Sequence, residues 1–165
     1  MSIYIRNATV SDVAKIHDLL EWYSKLGRLL PRSAEDILEH LGSFLISEQN
    51  DMFSGCVSLE IFTADLGEVR SLAVSPDFAH AGHGRLLVKQ LEIKANVLGL
   101  KRLIALTYVP TFFEKLGFEI TAMEALPEKV FGVCITCPKF KNCDELAMIK
   151  HLKGHSLKNS SKEAT

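Results

Sequence analysis

Charge of one sign is scarce in this sequence: 19 lysines and arginines stand against 20 aspartates and glutamates, a formal net charge of −1 over 165 residues. Without an excess of either sign, no large field draws nucleic acid or anionic membrane to the surface, and neither is expected as a partner. Long apolar runs are missing too, so no segment reads as a transmembrane span. The stretch Met1-Ser2-Ile3-Tyr4-Ile5-Arg6 lacks the basic start and apolar core of a signal peptide, which makes the cytoplasm the expected location. Cysteines number four, and Cys134, Cys137 and Cys143 fall in one short stretch, Cys56 lying apart. In a reducing compartment disulfides are not the expectation for that cluster. A second C-x-x-C is absent, and only Asp144 or His151 offers a nearby fourth ligand. Free structural thiols are therefore expected ahead of a zinc site or a redox pair, with no metal.

What is present is a regular succession of elements. Residues 3–6 alternate apolar and polar side chains, as a short edge strand does. Thr9 or Ser11 suits an N-cap, and Val13, Ile16, Leu19, Leu20 and Tyr23 follow at helical spacing until Gly27. Leu29-Leu30-Pro31-Arg32 reads as a loop and Ser33-Ala34-Glu35-Asp36 as a second helix start. A β-rich middle comes next: residues 44–47 and 52–63 with Asn50-Asp51 between them, then 68–74 after the turn Ala64-Asp65-Leu66-Gly67. Residues 82–98 carry Leu87, Leu91, Ala95 and Leu98 on one helical face, Gly99 is the C-cap, and 102–107 read as a buried strand. Residues 68–107 thus form a strand–helix–strand unit, for which a right-handed crossover and parallel neighbours are expected. A short helix over 111–116 stopped by Gly117, a strand over 118–121 and a last strand over 144–152 that closes the sheet complete the pattern. One domain is expected over 1–152 and a mobile tail over 153–165.

The chemistry concentrates between residues 68 and 85. A strand ends at Val74, a loop follows, and Gly82 and Gly84 open a helix whose first N–H groups have no intrahelical acceptor and carry partial positive charge. Such a start suits a pyrophosphate, and glycine lets its oxygens approach the backbone without meeting a Cβ. The dinucleotide fingerprint G-x-G-x-x-G fails because position 87 is leucine, and no Gly-Lys-Ser/Thr of a Walker motif occurs. On local physics alone a glycine-opened helix without a ligand stands level with a phosphate site.

Leu72-Ala73-Val74-Ser75-Pro76 followed by Gly82-x-Gly84 resembles the acetyl-CoA signature of the GNAT N-acetyltransferases. Phe112-Phe113-Glu114-Lys115-Leu116-Gly117-Phe118 is similar to that family's other hallmark. The resemblance covers roughly residues 3–150 and implies an α/β (α+β) single domain. Its central twisted sheet would be mixed and mostly antiparallel, with helices on both faces and strands splayed at the acetyl-CoA site. By position it implies that Leu72, Ala73 and Val74 hold pantetheine as an added strand would. It likewise gives the diphosphate to Ala79, His80, Ala81, Gly82, His83, Gly84 and Arg85. The family usually has Arg or Gln where this chain has Ala79, so one side-chain contact is lost; a charge-assisted bond of that kind is worth about 1.5–3 kcal/mol. Backbone contacts survive the change, and His80 and His83 are candidates to compensate.

Acetyl transfer needs a neutral amine, and a carboxylate acting directly or through water removes its proton. Glu68 is the candidate base, on the strand where several family members place a glutamate. The family's thiolate acid is a tyrosine where Phe113 stands here, and a phenyl ring donates no proton; Tyr108 is the nearest alternative. N-acetylglutamate synthases commonly carry phenylalanine at that place. Leu30-Pro31-Arg32-Ser33, residues 65–74 and Leu103-Ile104-Ala105-Leu106-Thr107 also resemble the acetyltransferase domain of those enzymes, particularly short stand-alone versions. The implied acceptor is a small-molecule amine, glutamate first, with Arg32 and Arg70 as bidentate partners for its carboxylates. Glu21 and Glu60, acidic where some relatives are basic, count against glutamate. Another amine (a polyamine, an antibiotic, a protein terminus) and a silent acyl-CoA-binding module remain as alternatives. A homodimer is compatible with everything above.

Overall fold

The computed structural model describes residues 2–126 and 146–153. In chain order the elements are β1 (Ile3–Asn7), α1 (Val13–Lys25), α2 (Ala34–Glu39), β2 (Phe44–Gln49), β3 (Met52–Ile61), β4 (Leu66–Val74), α3 (His83–Val97), β5 (Arg102–Thr107), α4 (Pro110–Glu114), β6 (Glu119–Thr121) and β7 (Leu146–His151). The strands form one seven-stranded sheet in the order β1-β2-β3-β4-β5-β7-β6. Its pairings are antiparallel except for the parallel β4–β5 pair. Among the described residues no helix is long and apolar enough to cross a membrane. The cysteine cluster Cys134, Cys137 and Cys143, and residues 154–165 of the expected tail, lie outside the described residues.

The chain divides into two compact units, the first built from Met1–Glu60 and Val69–Lys94. Here Thr9 precedes a single 3-10 turn, Val10–Asp12, and Asp12 Oδ2 takes the Thr9 N–H at 2.7 Å, so α1 starts at Val13 rather than directly after the cap. Ser33 caps α2 by accepting the Asp36 N–H at 3.0 Å, as its position before Glu35 and Asp36 leads one to expect. Between β2 and β3, Asn50 and Asp51 both adopt positive φ, 54° and 61°, the geometry of a tight hairpin turn. The β2–β3 register then slips: Ser47 faces Gly55 while Glu48 faces Phe53, leaving Ser54 as an extra residue on β3. Such a bulge re-aims a side chain, and Ser54 is fully buried. The core of this unit gathers Ile16, Leu19, Leu20, Ile37, Phe44, Ile46, Cys56 and Ala73. At Gly55 a Cβ would lie 2.8 Å from the Ala73 carbonyl oxygen and 2.9 Å from Ser47 Oγ, so β3 reaches β4 there only because glycine has none.

The second unit takes Ile61–Glu68 and the described residues from Ala95 on. Parallel pairing matches Leu66 with Arg102, Gly67 with Leu103 and Glu68 with Ile104, the neighbour relation expected of a crossover unit. The Asp65 carbonyl oxygen fixes that register by accepting the N–H groups of Lys101 (2.8 Å) and Arg102 (2.9 Å). Phe62, Leu66, Ile104, Leu126 and Ala147 form its core. The last strand does not close the sheet at its edge: β7 inserts between β5 and β6, and the three-residue β6 is the edge. Burial accounts for the order, because Ala147 and Met148 on β7 are buried whereas Glu119 and Ile120 on β6 are exposed. Lys150 of β7 donates to the Leu116 carbonyl at 2.6 Å, which satisfies an orphan acceptor where α4 gives way to Gly117.

Candidate active site

In the first unit β4 departs from regular strand geometry at Ser71, whose φ is 54°. A left-handed serine costs of order 1–3 kcal/mol and persists only where its surroundings fix it. Arg32 is what meets it: Nη1 donates to Ser71 Oγ and to Ser58 Oγ, both at 3.3 Å. The same guanidinium donates from Nε to Asp36 Oδ2 at 2.6 Å and lies 5.0 Å from the centre of the Phe44 ring. Its side chain is only 10% exposed, so the alternative of a plain surface charge is removed for Arg32. The hydroxyl of Ser58 donates to the Arg70 carbonyl at 3.1 Å. What is left over is informative. Arg32 Nη2 and the Ser71 hydroxyl proton have no acceptor among the described residues. An unpaired polar group away from solvent costs free energy, so these two little-exposed donors are available to water or to a ligand acceptor.

Arg70 is half-buried, and its Nη1 stands 3.6 Å from Glu60 Oε2. Glu60 is thus held by a cation of its own, and so is Glu21, whose carboxylate lies 3.5 Å from Lys25 Nζ. Arg32 and Arg70, the two arginines singled out in the sequence, therefore differ in kind: one is buried with a donor to spare, the other belongs to a partly exposed ion pair.

Residues 72–74 lie beyond the three β4 residues that pair with β5. Ala73 is turned into the core of the first unit, while Leu72 and Val74 are half-buried. The Val74 carbonyl accepts the Tyr23 hydroxyl at 2.6 Å, and Ser75 N–H donates to the Ser54 carbonyl at 2.7 Å. Tyr23, Ser54, Ser58, Ser71 and Asp36 are contributors that the sequence pattern did not single out for the site. The loop that follows is exposed at Ala79, His80, Ala81, Gly82 and Arg85. His80 adopts φ 63° and Gly82 φ 90°, and Leu86 N–H reaches the Gly82 carbonyl at 3.1 Å, so the helix opens at the glycine. No acidic side chain occurs between Asp77 and Glu92. Positive φ, a helix start and the lack of acids together suit an anion, so these residues fit the diphosphate of an acyl-CoA.

His83 corrects the expectation placed on it. Its ring is 1% exposed and bonded at both nitrogens, Nδ1 to Ser54 Oγ at 2.9 Å and Nε2 to Gln49 Oε1 at 3.1 Å. The imidazole faces the interior and does not replace the side chain missing at Ala79, because burial leaves it no path to a solvent-side phosphate. His80 is exposed and keeps that candidacy.

The second unit holds Glu68 and Tyr108. Glu68 is 5% exposed at the last step of the parallel ladder, and Tyr108 is half-buried just after β5, where Val109 N–H donates to Thr107 Oγ1 at 2.8 Å. Phe113 is buried, with ring centres 5.0 Å from Phe112 and 5.2 Å from Phe118, both edge to face. Where the family's acid would sit, this chain has a packing residue.

Residues 40–120 match the family model of the acetyltransferase (GNAT) domain. An uncharacterized N-acetyltransferase of Chlorobaculum tepidum is 36% identical over 148 residues, 90% of this chain and 96% of that protein. The amino-acid acetyltransferase of Azotobacter vinelandii is 36% identical over 125 residues, and this chain spans 29% of its length. Among solved structures, N-acetylglutamate synthase of Neisseria gonorrhoeae, complexed with coenzyme A and N-acetyl-glutamate, superposes with a TM-score of 0.83 at 30% identity over 92% of this chain and 35% of that one. A Mycobacterium tuberculosis protein in complex with CoA gives 0.78 at 27% identity, over 90% of this chain and 99% of its own. Fold, glycine-opened helix and relatives agree: the chain belongs to the GNAT family and is an acetyl-CoA-dependent N-acetyltransferase.

Proposed function

We propose that this enzyme acetylates the α-amino group of an acidic amino acid, L-glutamate first, as a short N-acetylglutamate synthase does. The observation that carries the reading is the pair of buried donors left without an acceptor among the described residues, Arg32 Nη2 and the Ser71 hydroxyl. A carboxylate is the ligand to which a guanidinium N–H and a neighbouring hydroxyl donate best. The Glu60–Arg70 pair supports the reading, because a paired Glu60 repels an anionic acceptor less than a lone one.

Acetyl-CoA supplies the activated acetyl thioester. On this reading the first-turn amides of α3, with the loop from Ala79 to Arg85, hold the diphosphate, and the backbone at Leu72, Ala73 and Val74 aligns pantetheine. Arg32 and Ser71 orient the acceptor by a carboxylate, with Arg70 as a further candidate. Glu68 receives the amine proton, directly or through water. The α-amine of a free amino acid is almost wholly protonated at pH 7, so a base has a real proton to remove before the nitrogen can attack. Tyr108 is the candidate to return a proton to the departing thiolate. The product is then N-acetylglutamate, and the reaction belongs with arginine biosynthesis in the cytoplasm.

Release of free CoA thiol from acetyl-CoA across a panel of amines tests the proposal. Turnover that peaks on glutamate is the expected result. Activity confined to cationic amines would overturn it, and CoA binding without turnover on any amine would favour a silent acyl-CoA-binding module.

A further inference from the structure

A buried histidine between two glycines of an otherwise exposed loop needs a reason, and Ser54 supplies it. Gln49 Oε1 can only accept, so His83 Nε2 carries the proton and Nδ1 is bare. Ser54 Oγ–H then donates to Nδ1 at 2.9 Å and itself accepts from Ser47 Oγ–H at 2.8 Å. The hydroxyls of Ser47 and Ser54 and the imidazole N–H of His83 each donate once along the chain that ends on Gln49 Oε1, and no member carries charge. The bulge in β3 is what turns the Ser54 side chain into this position.

Ser54 acts at a second place as well. Its carbonyl accepts the N–H of Ser75, the residue at which β4 becomes the loop. One residue therefore holds both ends of the loop: Ser75 by its backbone oxygen and His83 by its hydroxyl. Inside the closure the Phe78 ring packs against the imidazole, with centres 5.3 Å apart.

We propose that Ser54 and His83 form a clasp that closes residues 75–83 and thereby pre-organises the first-turn amides of α3 for the diphosphate of acetyl-CoA. Both are positioning residues, and the inference rests on the reading of this loop as the diphosphate site. A loop already ordered does not pay its ordering entropy on binding, which is how a clasp that touches no ligand changes affinity.

The test compares acetyl-CoA with acetyl-pantetheine, which lacks the diphosphate, in wild type, Ser54→Ala, His83→Leu and the double variant. The readout is the ratio of kcat/KM for the two donors. It should fall about tenfold in each single variant, through KM for acetyl-CoA, and no further in the double, since either change opens the same clasp. Ser54→Ala keeps the carbonyl that holds Ser75, so it remains informative where His83→Leu fails to fold. Equal losses on both donors, with the ratio intact, would mean that the pair merely supports the fold and would overturn the proposal. Additive losses in the double variant would do the same. A wild-type ratio near one would remove the diphosphate reading, and the clasp with it; a strong wild-type preference that survives Ser54→Ala removes the clasp alone.

Discussion

Arg32→Lys is the substitution on which the acceptor reading depends most directly. In the wild type Nε is occupied by Asp36 at 2.6 Å and Nη1 is shared by Ser58 and Ser71 at 3.3 Å, which leaves Nη2 for a ligand. Lysine keeps the charge but loses the fork. Its single ammonium sits against Asp36 or reaches the acceptor, and cannot do both in the geometry that Phe44 and the two serines impose on a planar group. Each hydrogen bond to a charged group is worth about 1.5–3 kcal/mol. Losing one net bond of that class lowers kcat/KM for glutamate roughly 10- to 150-fold.

The assay is thiol release at saturating acetyl-CoA with glutamate varied, read as a split between KM and kcat. An interaction present equally in ground and transition states raises KM and leaves kcat largely alone. A folded Arg32→Lys protein whose glutamate KM stays within about twofold of wild type refutes the assignment, because a nine-tenths buried guanidinium cannot both hold the acceptor and be dispensable.

Other perturbations follow from the same geometry. Gly55→Ala pushes a Cβ to 2.8 Å from the Ala73 carbonyl, which is backbone and cannot swing away; overpacking of this kind costs about 1–3 kcal/mol, so thermal unfolding should begin about 3–10 °C lower, and an unchanged midpoint would show that β3 and β4 give more freely than their spacing implies. Tyr23→Phe removes the donor to the Val74 carbonyl, and a several-fold rise in KM for acetyl-CoA with little change for the acceptor is expected. Glu68→Gln should lower kcat/KM about 100-fold at pH 7 and progressively less as rising pH increases the neutral fraction of the amine; identical pH profiles would take Glu68 out of the mechanism. Burial holds His83 below its ordinary pKa of 6.5, so the unfolded chain binds the proton first as the pH falls. Stability from the neutral ring is then complete above 6.5 and is lost progressively below it, and His83→Leu should flatten that part of a denaturation-against-pH curve.

Local pattern made the helices, the Asn50-Asp51 turn and the glycine-opened start of α3 readable, because each depends on neighbours within a few residues. His83 could have been read better than as a loop histidine. Counting back by four along the buried face of α3, from Ala95 through Leu91 and Leu87, ends on His83, and all four are buried. The rest was out of reach for a physical reason. Tyr23 meets Val74 across 51 residues, Arg32 meets Ser71 across 39, and Ser54 meets His83 across 29. No periodicity encodes such meetings. The slip that frees Ser54 and the left-handed φ at Ser71 are likewise consequences of pairing, since serine itself prefers neither. The place of β7 between β5 and β6 belongs to the same class: the sequence shows a last strand but not which neighbours it takes.

Acceptor choice turns on ion pairs that form only in the fold. From sequence, Glu21 and Glu60 weigh against an acidic acceptor simply by being negative. In the fold each has a cation of its own, Lys25 at 3.5 Å and Arg70 at 3.6 Å, and Arg32 in turn is largely neutralised by Asp36. These pairs each sum to zero charge, so they supply no long-range field that would select the acceptor. On the proposed reading, selection falls to short-range donors, Arg32 Nη2 and the Ser71 hydroxyl, whose unmet bonds would penalise any amine that brings no carboxylate. A recognition device of that kind is insensitive to ionic strength, because buried donors are screened far less than surface charges. Discrimination between glutamate and a polyamine should accordingly persist at high salt, whereas selection by charge alone would fade there.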